Sequence, residues 1–236
     1  MDVIIPYMHG NYPDLKFALR SLEKFGPEVR DLIIVGEVLP TYINPDKVVF
    51  IRHADCYDDK FKEKNQYEKV LSALNYAVNC DIFLYMHDDH FLLSKFRDIA
   101  WYDKTLFNKF ISLNPEGIYR KTIGNTIKIT GNLMFNFDVH APMVMDRASF
   151  FNLQQADWNK NYGYCLKSLY CWYIKDRLES KDISDLKIRY PSNQTDYMNQ
   201  VNGREWFSND DLAWDDMGEM KHFLTDLYPD HSRWEK

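Results

Sequence analysis

The chain has 236 residues, of which 45% are hydrophobic and 16% aromatic, so it is long enough to form one domain with a sizeable core. Its 35 acidic residues outnumber its 29 basic ones, and the formal charge of −6 argues against general binding to a phosphate backbone. The 4 cysteines show no CxxC pair and no zinc-finger spacing, which predicts free thiols in a reducing compartment.

The N-terminal segment, MDVIIPYMHG, has neither a basic region nor a long apolar run, and no segment reaches the roughly 18 apolar residues of a membrane span. We therefore expect no signal peptide and no membrane span, and we predict a soluble protein of the cytoplasm.

Strands and helices are predicted to alternate over the first 95 residues. Short apolar runs predict buried strands, and apolar residues at spacings of three and four predict the helices between them. The strands are expected at 3–5, 32–35, 48–51 and 82–86, and the helices at 13–25 and 62–79. This alternation is typical of a mostly parallel sheet whose faces are covered by helices.

The pattern is less regular in the second half of the chain. We expect a helix over 96–116, strands or a hairpin over 118–136 with a turn near Gly124-Asn125, a strand that leads into a helix over 135–150, and an apolar-periodic segment over 165–178. From about residue 190 the sequence is polar and aromatic, and it is expected to form a C-terminal appendage that contains Trp206, Trp214 and Trp234. One compact domain accounts for these patterns.

The motif His87-Asp88-Asp89-His90 follows the apolar run 82–86 directly. Adjacent carboxylates are costly to bury unless a cation or a hydrogen-bonding ligand compensates them. Pro6-Tyr7 and Glu37 also follow predicted parallel strands, and ligands of such sheets bind at the carboxyl ends of the strands. Carboxylates suit Mg²⁺ or Mn²⁺, which can bridge to a diphosphate. The alternative is a pair of solvated acids at a surface strand end.

Other side chains could complete a site at this edge. Lys64 and Asn65 lie near the start of the second predicted helix, where a cation and a helix N-terminus suit a diphosphate. Asp138 and His140 would share one face of a strand, and a neutral His140 could bind a metal. A hydrogen-bonded core histidine is the alternative for His140.

The sequence lacks the motifs of several common enzyme classes. It contains no Gly-rich phosphate loop of the GxGxxG or GxxxxGK type and no GxSxG motif. These absences argue against a dinucleotide-dependent dehydrogenase, a P-loop kinase and a hydrolase with a nucleophile elbow.

The strand ends IIPY and IVGE, together with the helix that leads to FLYMHDD, resemble the nucleotide-binding half of GT-A glycosyltransferases. The later segments FDVHAP and SLYCWY and the C-terminal tail are similar to sugar transferases of bacteriophages and capsule clusters. The resemblance implies an α/β fold with a mostly parallel central sheet. It assigns residues 1–95 to nucleotide-sugar binding and residues 96–236 to acceptor binding and the tail.

The resemblance also implies an activity and its site residues. The expected reaction moves a hexosyl or pentosyl group from a nucleotide-sugar, most simply a UDP-sugar, to a hydroxyl acceptor with the help of Mn²⁺ or Mg²⁺. His87-Asp88-Asp89 would correspond to the DxD-type motif, with His in place of the first Asp. The implied metal ligands are Asp89 and His140, the implied donor-binding residues are Pro6, Tyr7, Glu37, Lys64, Asn65 and Asp88, and the candidates for the catalytic base are Asp138 and then Asp211.

Several alternatives stay open at this point. The acceptor could be a glycan, a small molecule or a modified base in phage DNA, in which case Lys187, Arg189 and Arg204 could form a basic patch and the location would be the host cytoplasm. The chain could instead be an inactive GT-A-like module that binds nucleotide-sugars. A metal-dependent nucleotidyltransferase is a further possibility, but the loop HGNYPD has only one of the glycines that such enzymes usually carry after the first strand.

Overall fold

The computed structural model describes residues 1–10, 12–76, 81–103, 117–131, 135–214 and 218–236. Its strands are β1 (Asp2–Pro6), β2 (Leu32–Gly36), β3 (Val49–Arg52), β4 (Ile82–Tyr85), β5 (His90–Leu92), β6 (Ala100–Tyr102), β7 (Met143–Asp146), β8 (Ser180–Asp182), β9 (Lys187–Ile188) and β10 (Trp206–Asn209). Its α-helices are α1 (Asp14–Phe25), α2 (Lys62–Tyr76), α3 (Ile118–Thr130), α4 (Arg147–Phe151), α5 (Leu166–Tyr173), α6 (Gln194–Val201) and α7 (Glu219–Leu227).

The central feature is a five-stranded sheet with the order β3-β2-β1-β4-β7. Strands β1 to β4 run parallel, and β7 is antiparallel to β4. The strands alternate with helices along the first part of the chain, as the short apolar runs between amphipathic segments predict. The predicted α/β fold with a mostly parallel central sheet and flanking helices is confirmed.

Side chains of successive strand residues point to opposite faces of the sheet and form separate cores. Val3 and Ile5 of β1 pack on the face that is covered by α1, α6 and α7. Ile4 packs on the other face, which is covered by α2, α4 and α5. The carboxyl ends of β1 and β4 reach the same edge of the sheet, where Pro6 and Tyr85 line a cavity.

Two smaller sheets extend the domain. Strands β5, β10 and β9 form a three-stranded sheet, and β6 pairs with β8. The C-terminal segment, which was expected to be an appendage, is therefore built into the domain: Trp206, Phe223 and Trp234 are all buried in the same core as α1. Glu235 forms a buried ion pair with Arg20 of α1.

The structure corrects the prediction of strands or a hairpin over 118–136, because most of this segment is the helix α3. Its buried face consists of Thr122, Ile123, Asn125 and Thr126, at helical spacing. Thr122 and Asn125 bond to the loop at 161–163, from Thr122 Oγ1 to Tyr162 O (2.8 Å) and from Asn125 Nδ2 to Asn161 O (3.0 Å). Thr126 Oγ1 accepts from the Cys165 backbone N–H at 2.8 Å. Because most residues of the buried face are polar, the hydrophobicity pattern of this segment does not show the helical period.

Other expected elements differ in detail. Residues 96–99 are not helical and Ala100–Tyr102 is a strand, so the expected helix over 96–116 is wrong in this part, and 104–116 lie outside the described residues. Helix α2 is described to Tyr76, and 77–79 also lie outside the described ranges. Asp138 and His140 lie in an irregular segment before β7 and not on a strand. None of the helices in the described parts of the chain has the length and apolarity that a membrane crossing requires.

Candidate functional site

A cavity of about 500 Å³ opens at the edge of the sheet where β1 and β4 end. Many of the predicted site residues contribute to its lining, namely Pro6, Tyr7, Asn65, Asp88, Asp89, Asp138, His140 and Asp211. Glu37 and Lys64 do not contribute to it. Glu37 is exposed, and the Lys64 ammonium instead donates to Asn159 Oδ1 at 2.8 Å.

The chain turns sharply after β4, and this turn forms the floor of the cavity. Met86 is fully buried, His87, Asp88 and Asp89 are half-buried in the turn, and His90 begins β5 with no exposed surface. Because β4 and β5 belong to different sheets, the four polar residues are held at the junction of the two sheets.

Unpartnered polar atoms mark this junction. Asp89 Oδ1 and His90 Nε2 are buried, lie 3.9 Å apart and lack a hydrogen-bond partner within the described residues. Ser208 Oγ is also buried and lacks a hydrogen-bond partner within the described residues. Ser208 lies directly opposite His90 in the pairing of β10 with β5. Buried polar groups are nearly always paired, so this cluster points to a ligand or ion that would complete it.

Two imidazoles stack beside the Asp89 carboxylate. The rings of His87 and His90 are parallel, with centroids 4.7 Å apart. His87 Nε2 lies 2.6 Å from the Tyr85 hydroxyl and 2.9 Å from Gln66 Nε2, contacts that fix the ring. Burial lowers the pKa of His87 to about 3 and holds the pKa of His90 well below its ordinary value, so both rings are neutral and each keeps a lone pair.

The two carboxylates differ in their electrostatic environment. Burial, and then the Asp89 charge, raise the pKa of Asp88 well above its ordinary value. Burial also disfavours the charged form of Asp89, but the Lys187 ammonium, together with His87 and His140, outweighs this effect and lowers the pKa of that carboxyl. Lys187 Nζ lies 3.3 Å from Asp89 Oδ2. Asp89 is thus the ionised member of the pair, as a metal ligand must be.

The residues present fit a divalent cation. One ligand atom from each of His87, Asp89 and His90 lies within 4.8 Å of the others. This donor set contains Asp89, as predicted, and adds His87 and His90; the predicted ligand His140 is not among its members. The sequence reading passed over the two flanking histidines because it followed the acidic pair. Imidazole ligands suit transition metals better than Mg²⁺.

His140 is held by an acid on the far wall of the cavity. Its Nδ1 donates to Asp185 Oδ2 at 2.6 Å, and its backbone N–H donates to Asp185 Oδ1 at 3.0 Å. The Asp185 backbone N–H is in turn bound by Asp103 Oδ2 at 3.2 Å. Burial disfavours the Asp185 carboxylate, but its hydrogen bonds to His140 outweigh this effect and lower the pKa of Asp185.

Asp138 caps a helix. Its Oδ1 accepts from the Lys167 backbone N–H at 3.2 Å, and its Oδ2 accepts from the Ser168 backbone N–H at 3.1 Å and from Ser168 Oγ at 2.6 Å. These donors belong to the first turn of α5, whose N–H groups have no partner within the helix. Both carboxylate oxygens are therefore engaged in fixing the helix.

The wall near β1 contains a buried ion pair that the sequence reading missed. Lys69 Nζ donates to the Tyr7 carbonyl at 2.6 Å and to Asp55 Oδ1 at 2.5 Å. This lysine connects α2 to the segments that follow β1 and β3. The signal in the sequence was a lysine among the apolar residues of the buried face of α2. Tyr7 itself is only 4% exposed, and Gly36 is required beside it because a Cβ there would lie 2.7 Å from the Tyr7 carbonyl oxygen.

Two further acids of the lining were also missed. Asp14, at the start of α1, accepts from Asn209 Nδ2 at 2.8 Å and from Trp214 Nε1 at 3.1 Å. Glu63 lies in the first turn of α2. Burial raises the pKa of each of these acids to about 7. Asp211, by contrast, is exposed on a short 3₁₀ helix at the rim.

Comparisons with known proteins point to the fold. A structure of the galactosyltransferase LgtC in complex with donor and acceptor sugar analogs is 11% identical, covers 98% of this chain and 96% of its own, and superposes with a TM-score of 0.48. A structure of an LgtC active-site mutant is 12% identical, covers 96% and 95%, and gives 0.50. Mouse xyloside xylosyltransferase 1 in its apo form is 11% identical, covers 91% and 99%, and gives 0.39.

No family model and no curated protein sequence matches the chain. The structural likeness, at these identities, establishes a shared fold, and the expectation of a GT-A architecture is confirmed to that extent.

Proposed function

We propose that this chain is a glycosyltransferase that takes its donor as a nucleotide-sugar and uses a divalent cation. The observation that carries the proposal is the buried His87–Asp89–His90 group at the end of β4, on the floor of a cavity of about 500 Å³. The fold shared with LgtC supports the same reaction class. The division of the chain into a donor half (1–95) and an acceptor half (96–236) remains part of this proposal.

His87, Asp89 and His90 would hold the cation. A bound Mn²⁺ supplies positive charge that stabilises the diphosphate as it leaves the sugar. We expect the site to prefer Mn²⁺ to Mg²⁺, because two of its three ligands are imidazoles. A site built on carboxylates alone would not have this preference.

The donor would lie along the wall that β1 and α2 form. Pro6 and Tyr7 would flank the nucleobase, and Asn65 and Asp88 would contact the sugar or ribose. Lys62 lines the same cavity and brings a cation near the diphosphate, a role for which the sequence favoured Lys64. Glu37 would contact the nucleobase only if its exposed side chain reached the donor from outside the cavity.

The chemistry also needs a group that removes the proton of the acceptor hydroxyl. Asp138 and Asp211 were the predicted bases. The helix-capping bonds of Asp138 favour the structural alternative, because both of its carboxylate oxygens are already engaged by donors in the first turn of α5.

A thermal-shift screen tests the proposal. UDP-sugars and free UDP are added with Mn²⁺, with Mg²⁺ or with neither, and release of UDP is measured in parallel. A ligand at a hundredfold excess over its Kd stabilises a protein by about 2.7 kcal/mol. We expect Mn²⁺-dependent stabilisation and slow UDP release, both lost in Asp89→Ala and kept in Asp176→Ala, which removes an exposed acid outside the cavity.

Each negative outcome has a distinct meaning. If donors stabilise the protein but no supplied acceptor leads to UDP release, the chain would be an inactive binding module. The absence of any stabilisation by the whole donor panel would refute the proposal. Salt-dependent retention on DNA would identify a nucleic-acid acceptor.

A further inference from the structure

We infer that His140, held by Asp185, is the base that removes the proton from the acceptor hydroxyl. This inference rests on the proposed glycosyl transfer and replaces both bases predicted from the sequence. It assigns to His140 a role in proton transfer in place of metal binding.

The geometry of the pair carries the inference. The Asp185 carboxylate accepts two hydrogen bonds from His140, one from Nδ1 at 2.6 Å and one from the backbone N–H at 3.0 Å. A carboxylate can only accept, so Nδ1 carries the proton and the lone pair is on Nε2. Within the described residues Nε2 has no hydrogen-bond partner, and the His140 side chain lines the cavity and is 28% exposed.

The environment suits an imidazole that gains a proton during the reaction. The Asp185 side chain is only 6% exposed, so its charge is little screened from the ring. An imidazole oriented by a buried carboxylate is a recurring base in enzymes that activate hydroxyl groups, because the carboxylate fixes the tautomer and stabilises the imidazolium. Lys167, which donates to the carbonyls of Val139 and Ala141, fixes the backbone on both sides of the ring.

The two carboxylates predicted from the sequence are less suited to this task. Both carboxylate oxygens of Asp138 accept hydrogen bonds from the first turn of α5. Asp211 is exposed on the rim, where solvent screens it. His140 is also not a member of the group His87, Asp89 and His90, whose possible ligand atoms lie together.

The proton and electron pairs balance without a further reactant. The acceptor O–H bond breaks and its proton moves to His140 Nε2. The acceptor oxygen forms a bond to C1 of the donor sugar. The bond from C1 to the phosphate oxygen breaks, and its electron pair leaves with the nucleoside diphosphate.

Two variants and two readouts test the inference. His140→Gln removes the base, and Asp185→Asn removes the charge while keeping the shape. His222→Gln, at an exposed site on α7, is the matched control. The first readout is UDP release from UDP-glucose and UDP-galactose, with water or lactose as the acceptor. The second is the affinity for Mn²⁺ alone, measured from the electron paramagnetic resonance signal of the free ion.

We expect kcat to fall by about 10²-fold or more in His140→Gln and Asp185→Asn, the range for loss of a general base. The KM for the donor and the Mn²⁺ affinity should stay within about twofold of the wild-type values, since neither residue would bind the donor or the ion. A purely structural role of Asp185 would not produce this separation of kcat from KM. The control should match the wild-type protein in both readouts.

Three results would overturn the inference. A loss of Mn²⁺ affinity of about tenfold or more in His140→Gln would make it a metal ligand oriented by Asp185. A kcat near the wild-type value in His140→Gln would exclude it as the base while leaving the glycosyltransferase proposal intact. A wild-type protein that releases no UDP and is not stabilised by any donor would refute the proposed function, and the need for a base with it.

Discussion

Removal of one partner from the buried ion pair between Arg20 and Glu235 should lower the free energy of unfolding by several kcal/mol. The Glu235 carboxylate accepts from Arg20 Nε at 2.8 Å and from Arg20 Nη2 at 2.9 Å, and it also accepts from the Ser232 backbone N–H at 2.9 Å. The two charged side chains are only 5% and 3% exposed. Glu235→Ala would leave a buried guanidinium without its counter-charge, which typically costs about 3–5 kcal/mol.

The chain offers a matched control for this experiment. Arg233 and Glu23 form a second arginine–glutamate pair between α1 and the C-terminal segment, at 3.3 Å, but their side chains are 51% and 37% exposed. Exposed pairs contribute about 0–1 kcal/mol, so Glu23→Ala should barely change stability. Urea titrations followed by tryptophan fluorescence would give both free energies. A loss in Glu235→Ala no larger than that in Glu23→Ala would refute the reasoning from burial.

The same pair predicts a dependence on pH. Burial alone would raise the pKa of Glu235, but the bonds from Arg20 and Ser232 outweigh it and hold that pKa below the ordinary value. A carboxyl with a lowered folded-state pKa contributes stability that is fully present above its unfolded pKa and is lost as the pH falls through the folded pKa. The stability difference between the wild-type protein and Glu235→Gln should therefore be constant near neutral pH and shrink in acid, below about pH 4.5.

The remaining predictions concern the site. Asp89→Ala should abolish Mn²⁺-dependent stabilisation by UDP and also UDP release, while near-normal turnover in this variant would contradict the proposed metal group. Tyr7→Ala should lower the free energy of unfolding by about 3–5 kcal/mol even without ligand, because Tyr7 is 4% exposed. Chemical denaturation measures this change, and an unchanged free energy would contradict the core role of Tyr7. Asp138→Ala should cost about 0.5–2 kcal/mol through the lost cap of α5 and keep kcat within about tenfold. An unchanged melting temperature combined with a large loss of kcat would instead restore Asp138 as the base.

The parallel sheet and the position of the site could be predicted because they depend on local patterns. Runs such as Leu32–Gly36 are apolar throughout, and strands that are buried on both faces have this composition. Parallel strands bring their carboxyl ends to one edge, so the location of His87-Asp88-Asp89 followed from topology alone.

The parts that could not be predicted depend on contacts between residues distant in sequence. The polar inner face of α3 is satisfied by carbonyls of residues 161–163, and the role of Asp138 depends on the first turn of α5. Asp185 lies 45 residues after His140, and nothing in the sequence pairs the two. A polarity pattern contains no information on which partner a buried polar group will find.

The contact between Arg20 and Glu235 also constrains how the chain folds during synthesis. The two residues are 215 positions apart. At about 5–20 residues per second, a ribosome needs roughly 10–40 s to add the second residue after the first. During that interval α1 can form, but its buried face lacks the counter-charge and the aromatic side chains that the C-terminal segment supplies. We expect nascent chains shorter than about 200 residues to remain sensitive to protease and to bind chaperones, although most of the central sheet has already been translated.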